Sequence, residues 1–426
     1  MTEKKADIQK LIRTVFPRIA TEGDLLQLLN SINQKLHYDF YAAQDKEVPV
    51  IKLSTFKYYK NYSVSRGKRY RHFTIKKKSG KNRIIHSPAR GLKVIQQCLN
   101  EIFQTYYEPN EHACGFVPER SIVDGARLHT DKPFVLNIDL KDFFDTIVFP
   151  RVKKVLTLPP FNLSKEKEQL AYIITSLCCH PKKESKDKSS AEDDKKPSQC
   201  LPQGSPTSPI LTNIVCRNLD RHLAGLARRF KASYSRYADD ITFSCHKNIF
   251  KQDSEFVCEL KRIIEEEQGL KINTEKTRLQ TKRQRQEVTG LVVNKKVNVS
   301  QRYVKQLRLW LHYWERFGIE RAQDYFIQQY IRQRGNVKNH KARIENVIDG
   351  KLNYMLMIVG NNNPAYVKLK QRYDKLVENT PIQPMLHSKI APNNADGISN
   401  KEPLFPPEII DEPLDALLDS LIEELK

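Results

Sequence analysis

Three carboxylates carry the chemistry open to this sequence: Asp139, near the end of the apolar run Phe134-Val-Leu-Asn-Ile-Asp-Leu140, and the adjacent pair in Tyr237-Ala-Asp-Asp240. An Asp-Asp pair at a turn is ordinarily turn chemistry. A carboxylate inside an apolar strand, however, is costly if it stays dry and unpaired, so Asp139 wants a cation or a wet cleft. Gathered together with nothing positive between them, the three would repel, and such a set normally holds hard divalent ions through carboxylate and phosphate oxygens. Two ions about 4 Å apart can activate a hydroxyl and stabilise the leaving oxygen of an in-line displacement at phosphorus. Asp139, Asp239 and Asp240 are therefore the expected catalytic residues and metal ligands. Two Mg2+ ions are the expected cofactor, with Mn2+ as the alternative.

The elements that must position these groups can be read from periodicity. Ser235-Arg-Tyr-Ala-Asp-Asp-Ile-Thr-Phe243 alternates like a hairpin with the Asp pair at its tip, and Phe134–Leu140 is apolar enough for a central strand. Phe73 to Ile85 reads as two short strands turning at Ser79-Gly80, which would bring Lys77 and Arg83 together. Residues 7–36 are helical, with Thr21 placed to cap a second helix, and Leu92 to Tyr107 is another helix. Ser121 is a candidate cap, and the Pro/Gly loop from Leu201 leads into a helix running through Arg228. Asp253–Glu267 reads as a helix, Leu270–Asn273 as a strand, and Glu287–Val293 with Lys296–Val299 as a hairpin. Ser300 caps a helix carrying Leu307, Leu311 and Trp314, and helix continues to about Tyr373. Strands and helices alternating on both sides of Tyr237 argue for an α+β fold and against a helical bundle.

The balance of charge names the partner class. The chain has 426 residues and a formal net charge of +22, which suits a polyanion. From Ile51 to Asn100 there is no acidic residue, and Tyr58, Tyr59, Tyr62, Tyr70 and Phe73 are interleaved with lysines and arginines. That mixture fits a surface following a phosphate backbone better than a merely solvated face. No run approaches the length of a membrane span, and no apolar signal region follows Met1, so no membrane association and a cytoplasmic location are expected. The 8 cysteines form no repeated Cys-x-x-Cys, so reduced thiols are the reading. Cys178-Cys179-His180 with Cys200 lacks the second paired spacing a metal module needs.

Taken in order, Asn137-Ile-Asp-Leu-Lys-Asp-Phe-Phe144, Pro202-Gln-Gly-Ser-Pro-Thr-Ser-Pro209 and Tyr237-Ala-Asp-Asp240 resemble three successive motifs of reverse transcriptases. The likeness reaches back through Lys76–Arg83 and Gly115–Ser121 and forward to Gly290. It implies a right-hand polymerase fold with fingers, palm and helical thumb. Residues 1–50 would be a helical N-terminal segment, 51–135 fingers with the first part of the palm, and 136–285 palm. Residues 286–377 would be thumb, and 378–426 a Pro-rich linker with an acidic C-terminal helix. The resemblance gives Lys77 and Arg83 the incoming triphosphate, Phe144 the aromatic gate below the sugar, and Gln203 a place beside nucleotide and template. Arg120, His129, Tyr237, Thr289 and Gly290 are implied nucleic-acid contacts.

Within that family the chain is most similar to the bacterial retron group. Val288-Thr-Gly290 is similar to that group's Val-Thr-Gly element, and Gly125-Ala-Arg-Leu-His129 to its Asn-Ala-x-x-His element, with Gly125 standing where the group has Asn. The resemblance implies a cognate structured noncoding RNA as partner and deoxynucleotides as substrates. It further implies priming from an RNA 2′-hydroxyl, a DNA product (msDNA) and a role in antiphage defence. A defence-associated reverse transcriptase with different priming and a non-catalytic RNA-binding scaffold stay open as alternatives. Residues 181–199 are charged and nearly free of apolar groups, as in a flexible surface insertion. In the tail, Leu414, Leu417, Leu418, Leu421, Ile422 and Leu425 line one helical face among many acids. That face suits packing on its own domain, docking to an effector protein, self-association, or covering the basic cleft.

Overall fold

Capping and apolar spacing set the first helices, α1 (Glu3–Val15) and α2 (Glu22–Ala42). The Thr21 hydroxyl accepts the Asp24 amide at 3.2 Å while the Asp24 carboxylate accepts the amides of Ala20 and Thr21, both at 2.9 Å. The reciprocal cap satisfies donors that a helix start otherwise leaves open, and those amides hold the Asp24 carboxyl below its ordinary value. Leu25, Leu28, Leu29 and Ile32 then recur at helical spacing and are buried. The structure is a computed structural model that describes residues 3–61, 67–76, 80, 82–182, 198–334 and 342–379. Lys77, most of the expected insertion and the acidic C-terminal helix lie outside the described residues.

After α3 (Leu53–Lys60), strands β1 (Tyr70–Lys76) and β2 (Asn82–Pro88) pair antiparallel, with Phe73 opposite Ile85 and Ile75 opposite Arg83. Helix α4 (Arg90–Tyr106) buries Leu92, Ile95, Leu99 and Ile102. Two members of the basic, aromatic run do not face outward. Arg69 is 2% and Tyr70 7% exposed. Nη2 of Arg69 donates to the Ser176 carbonyl, and Gln96 donates both to the Tyr70 hydroxyl at 2.9 Å and to the Leu177 carbonyl at 2.8 Å. Those carbonyls end a helix, where the last turn has no partners of its own, so Arg69 is recruited inward as a cap.

The chain continues through α5 (Ile122–Arg127), capped by Ser121 as expected, then β3 (Phe134–Asp139) and α6 (Phe143–Thr146). Next come α7 (Phe149–Thr157), α8 (Glu168–Cys178), β4 (His180–Pro181), β5 (Gln199–Cys200), α9 (Ser208–Val215) and α10 (Arg217–Arg229). Strands β6 (Ser233–Tyr237) and β7 (Asp240–Cys245) form the expected hairpin, followed by α11 (Glu255–Lys261) and β8 (Arg278–Thr281). An antiparallel sheet in the order β6-β7-β3-β8 results. Its inner strand β3 buries Val135, Leu136 and Ile138, as its apolar sequence requires.

Two expectations are corrected. Leu270–Asn273 is not a strand; only Ile272 makes an isolated bridge, to Leu140. The fourth strand is β8, a polar edge strand whose sequence carries no alternation to reveal it. The later hairpin pairs β9 (Glu287–Val288) with β10 (Leu291–Val292), not with 296–299. Thr289 and Gly290 both have positive φ, 48° and 83°, the conformation of a two-residue hairpin turn that matches strand twist.

These elements belong to a first unit, Met1–Lys296; a second begins at Val297. The second holds α12 (Gln301–Arg334), α13 (Ile344–Val359) and α14 (Pro364–Glu378). Gly318, at φ 78°, breaks α12 into two segments, so that Tyr313 stacks on Tyr325 at 4.1 Å and Trp310 meets Phe326 edge-on at 5.1 Å. Arg372 grips Glu315 with two nitrogens, at 2.8 and 2.6 Å. Among the described residues no helix is long and apolar enough to cross a membrane.

Candidate active site

The turn bearing the Asp pair is built from beneath. Arg236 of β6 is 1% exposed and Asp220 of α10 likewise, and the guanidinium meets that carboxylate through Nε at 2.6 Å and Nη2 at 2.7 Å. Its Nη1 donates to the Ala238 carbonyl at 3.1 Å, so the buried ion pair holds the turn directly. Nη2 also reaches Asn213 Oδ1 at 3.2 Å, and Asn213 Nδ2 donates to the Gly115 carbonyl at 2.8 Å. Gly115 fits because it has no side chain: a Cβ there would lie 2.8 Å from the Ala238 nitrogen. Ala238 itself has φ 56°, a left-handed conformation that costs a non-glycine residue about 1–2 kcal/mol.

Register then delivers the carboxylates. Asp139 ends β3 directly opposite Asp240, the first residue of β7, and Leu140 N donates to the Asp239 carbonyl at 3.1 Å. Two residues the sequence did not single out attend Asp139. Lys276 Nζ contacts both its oxygens, at 2.8 and 3.0 Å, and Asn273 Nδ2 donates to Oδ2 at 2.8 Å. Only turn-type residues in Asn273-Thr-Glu-Lys276 could have signalled them. Burial raises the Asp239 carboxyl, with Asp139 adding repulsion and its own backbone amide, Lys276 and Arg83 opposing. Asp240 is pushed up to about 6, first by loss of water around it and then by the charges of Asp239 and Asp139. The residue itself keeps solvent access.

A cleft of about 580 Å³ opens beside this edge, lined by Asp139, Asp239, Arg83, Phe144 and Gln203 among others. The cleft thus gathers Asp139, Asp239 and three of the four expected nucleotide-contacting residues, while Asp240 is placed by its register opposite Asp139. The Gln203 loop is fixed to β2, its carbonyl accepting the His86 amide at 2.8 Å. Gly204, at φ 119°, lets it approach: a Cβ would sit 2.7 Å from Ile85 Cγ2.

The remaining expected contacts divide. Tyr237 is half-buried at the strand end, its ring 6.0 Å from that of Phe116. Arg120 uses Nη1 on the carbonyls of Asn110, Glu111 and Ala113, clamping the loop that carries Gly115. Thr289 and Gly290 form the β9–β10 turn and do not line the cleft. His129 is corrected: it is fully buried, with Nδ1 2.8 Å from Ser244 Oγ and Nε2 2.8 Å from Ser235 Oγ. It ties β6 to β7 under the Asp-Asp turn and has no face for nucleic acid. Gly125 packs on the same serine; a Cβ there would meet Cys114 Sγ at 3.3 Å and Ser235 Oγ at 3.6 Å. Its neighbours already fill the place of a lost amide side chain.

The donors suit a hard divalent ion. All are carboxylate oxygens; burial followed by mutual repulsion raises two of them, and the third accepts the Lys276 ammonium. Among the described residues, the one group of three such side chains whose donor atoms all come within 4.8 Å is a different one, Asp145, His180 and Cys200.

A family model described as reverse transcriptase (RNA-dependent DNA polymerase) matches residues 75–298, which include all three carboxylates. The chain is 36% identical over 272 residues to the retron Mx65 reverse transcriptase of Myxococcus xanthus, a match covering 59% of this chain and 58% of that protein. It is 32% identical over 250 residues to the retron Ec86 reverse transcriptase of Escherichia coli, covering 58% and 70% respectively. The chain therefore spans little more than half the length of the Myxococcus relative. Among solved structures, telomerase from Candida albicans in complex with a telomeric RNA fragment aligns at 13% identity with a TM-score of 0.37, covering 79% of this chain and 70% of that one. That likeness is too loose to argue from, and the sequence matches decide. The chain belongs to the reverse transcriptase family, in its retron type, and has the right-hand polymerase fold.

Proposed function

We propose that this chain is an RNA-directed DNA polymerase that copies part of a cognate structured noncoding RNA into DNA, starting from a 2′-hydroxyl of that RNA, in antiphage defence. The observation that carries the polymerase reading is the register of Asp139 against Asp240, with Asp239 at the turn, over a cleft shared with Arg83, Phe144 and Gln203. Asp139, Asp239 and Asp240 would hold two Mg2+ ions, which when bound activate the attacking hydroxyl and stabilise the leaving oxygen. Arg83, joined by Lys77, grips the triphosphate through charge-assisted hydrogen bonds. Phe144 closes the space a 2′-hydroxyl would need, and Gln203 lies beside the base. A cation held by Asp139 would take the place of the Lys276 ammonium on that carboxylate.

The β1–β2 hairpin supplies fingers: Phe73 is half exposed and Ile75 nearly so, offering apolar surface among basic residues to stacked bases. The sheet of β6, β7, β3 and β8 is the palm, and the helices beyond Val297 are the thumb. Retron-type priming and defence rest on the Val288-Thr-Gly290 element and on the kinship with retron enzymes. The cytoplasm is the proposed location.

The test is to purify the protein with its co-expressed nucleic acid and sequence both RNA and DNA. A branched RNA–DNA product is expected; DNA that is unprimed or linked to protein would overturn the priming scheme. Replacing Asp239→Asn together with Asp240→Asn should abolish synthesis while RNA binding survives. Synthesis persisting in that variant would remove the two-metal reading.

A further inference from the structure

We propose that Asp145, His180 and Cys200 form a separate metal site, built for one divalent transition ion of the zinc class. The sequence separates these residues widely, and three elements bring them together. Strands β4 and β5 pair with His180 directly opposite Cys200, and Lys182 N donates to the Ser198 carbonyl at 2.7 Å to extend the ladder. Leu201 N donates to the Ile147 carbonyl at 3.1 Å, lashing β5 to the residues that follow α6, where Asp145 sits. Cys200 and His180 are buried, at 0% and 4% exposure. Backbone pairing, not side-chain reach, therefore sets the geometry.

Cys200 Sγ lies 3.7 Å from His180 Nε2 and 3.8 Å from Asp145 Oδ1. A tetrahedral zinc ion binds sulfur at about 2.3 Å and nitrogen or oxygen at about 2.0–2.2 Å, which places sulfur about 3.5–3.7 Å from each of the other two donors. The observed edges match within a few tenths of an ångström. The Cys200 thiol donates to Asp145 Oδ1 while its sulfur also meets His180 Nε2; a bound metal would replace the thiol proton, which leaves to solvent. A dication with the Cys200 thiolate, the Asp145 carboxylate and neutral His180 has no net charge, so burying it costs little.

The donor set selects the ion. Thiolate and imidazole favour zinc-class metals, whereas magnesium takes oxygen, so this site and the three carboxylates do not compete for one ion. Imidazoles mark a way in: exposed His72 meets His86 at 4.7 Å between centroids, and His86 meets His180 at 4.1 Å. Lys182 is the cation nearest in effect, its charge acting on both Asp145 and Cys200, but it is exposed and yields to an ion that binds directly. The consequence reaches the polymerase cleft. Asp145 follows Phe144 and lines the cleft with it, and Cys200 opens the loop carrying Gln203. One ion would clip these two walls together.

The experiment is a Co2+ titration of the full-length, chelator-treated protein in excess Mg2+, read by the near-ultraviolet thiolate-to-cobalt charge-transfer band. One equivalent of Co2+ should produce the band, and Zn2+ should abolish it. Cys200→Ser should lose it, whereas Cys178→Ser and Cys258→Ser should keep it. No band in the wild-type protein overturns the proposal, whatever the variants do. A band that survives Cys200→Ser, or vanishes with Cys258→Ser, places the metal elsewhere and overturns it as well.

Discussion

Replacing Asp220→Ala tests whether the buried ion pair beneath the Asp239 turn is structural, catalytic or both. The carboxylate accepts Arg236 Nε, Arg236 Nη2 and the Tyr234 hydroxyl at 2.6, 2.7 and 2.8 Å, and Arg236 and Asp220 are both 1% exposed. Removing one partner of such a pair strands a buried charge, at about 3–5 kcal/mol. The Tyr234 hydroxyl loses its acceptor too, for about a further 1 kcal/mol. About 5 kcal/mol is most of a marginal domain's stability, so Asp220→Ala should leave the first unit partly unfolded at 37 °C.

The informative variant is the double one, Asp220→Leu with Arg236→Met. Apolar replacement of both charges is often neutral or better, so stability should return to within about 2 kcal/mol of wild type, with a coupling energy of about 3 kcal/mol. The Ala238 carbonyl would still lack its donor, and the turn carrying Asp239 would be free to shift. DNA synthesis should therefore stay at least about tenfold down, or about 1.4 kcal/mol in the barrier. Primer extension on an RNA template reads the activity. Trp310 and Trp314 both lie beyond Val297, so stability of the first unit must be followed by hydrogen exchange in β6 and β7, not by tryptophan fluorescence. A double variant both stable and fully active, or an Asp220→Ala cost below about 1 kcal/mol, would refute the reasoning.

Phe144→Ala should raise ribonucleotide incorporation relative to deoxynucleotide by one to two orders of magnitude, as about 1–3 kcal/mol of steric discrimination allows; an unchanged ratio in single-nucleotide extension would remove Phe144 from the gate. Gly115→Ala should cut synthesis strongly while the protein stays folded, because the new methyl meets the Ala238 amide of the turn, and wild-type activity would show that the turn does not need this approach. Burial lowers the His129 pKa from 6.5 to about 3, so below pH 6.5 the unfolded chain takes up a proton that the folded one refuses. Stability from this residue is intact above pH 6.5 and falls as pH drops towards 3, by about 2 kcal/mol between pH 6.5 and 5 at 1.36 kcal/mol per unit. His129→Gln should be less stable at pH 7 but lose less on acidification, and parallel unfolding curves at the two pH values would contradict this.

The readable parts of the molecule were those in which local pattern and tertiary environment agree. Thr21, Ser121 and the β6–β7 hairpin announced themselves because caps and alternation act over a few residues. Asp139 was legible because a charge in an apolar strand needs a reason. Strand β8 was not legible, since in Arg278–Thr281 the apolar Leu279 is exposed and the polar Gln280 is the buried residue, the reverse of the usual alternation. His129 and Arg69 misled for one reason: both are polar residues recruited inward to satisfy groups far away in sequence, Ser235 and Ser244 in one case and the Ser176 carbonyl in the other. The Asp145, His180 and Cys200 cluster was half legible: His180 and Cys200 could be named together but set aside for want of a second paired spacing, because the strand pair that joins them and the approach of Asp145 do not show in spacing.

These inward-turned residues explain how a turn at the edge of the cleft can be held accurately. Ala238 sits in a left-handed conformation that glycine would adopt more cheaply, yet a glycine would also leave the turn free to move. The surroundings determine the conformation several times over: Arg236 grips the carbonyl, Gly115 closes on the amide, and His129 joins the two strands below. Strain of this kind persists only where neighbouring structure enforces it, and it concentrates at functional sites. The acidic edge can therefore stay wet and open to a large polyanion, because the rigidity that catalysis needs is supplied from the dry side of the sheet. Mutations in that dry layer should consequently alter synthesis more than mutations at most exposed positions around the cleft, although its polar residues Asp220, Arg236 and His129 are buried away from the cleft surface.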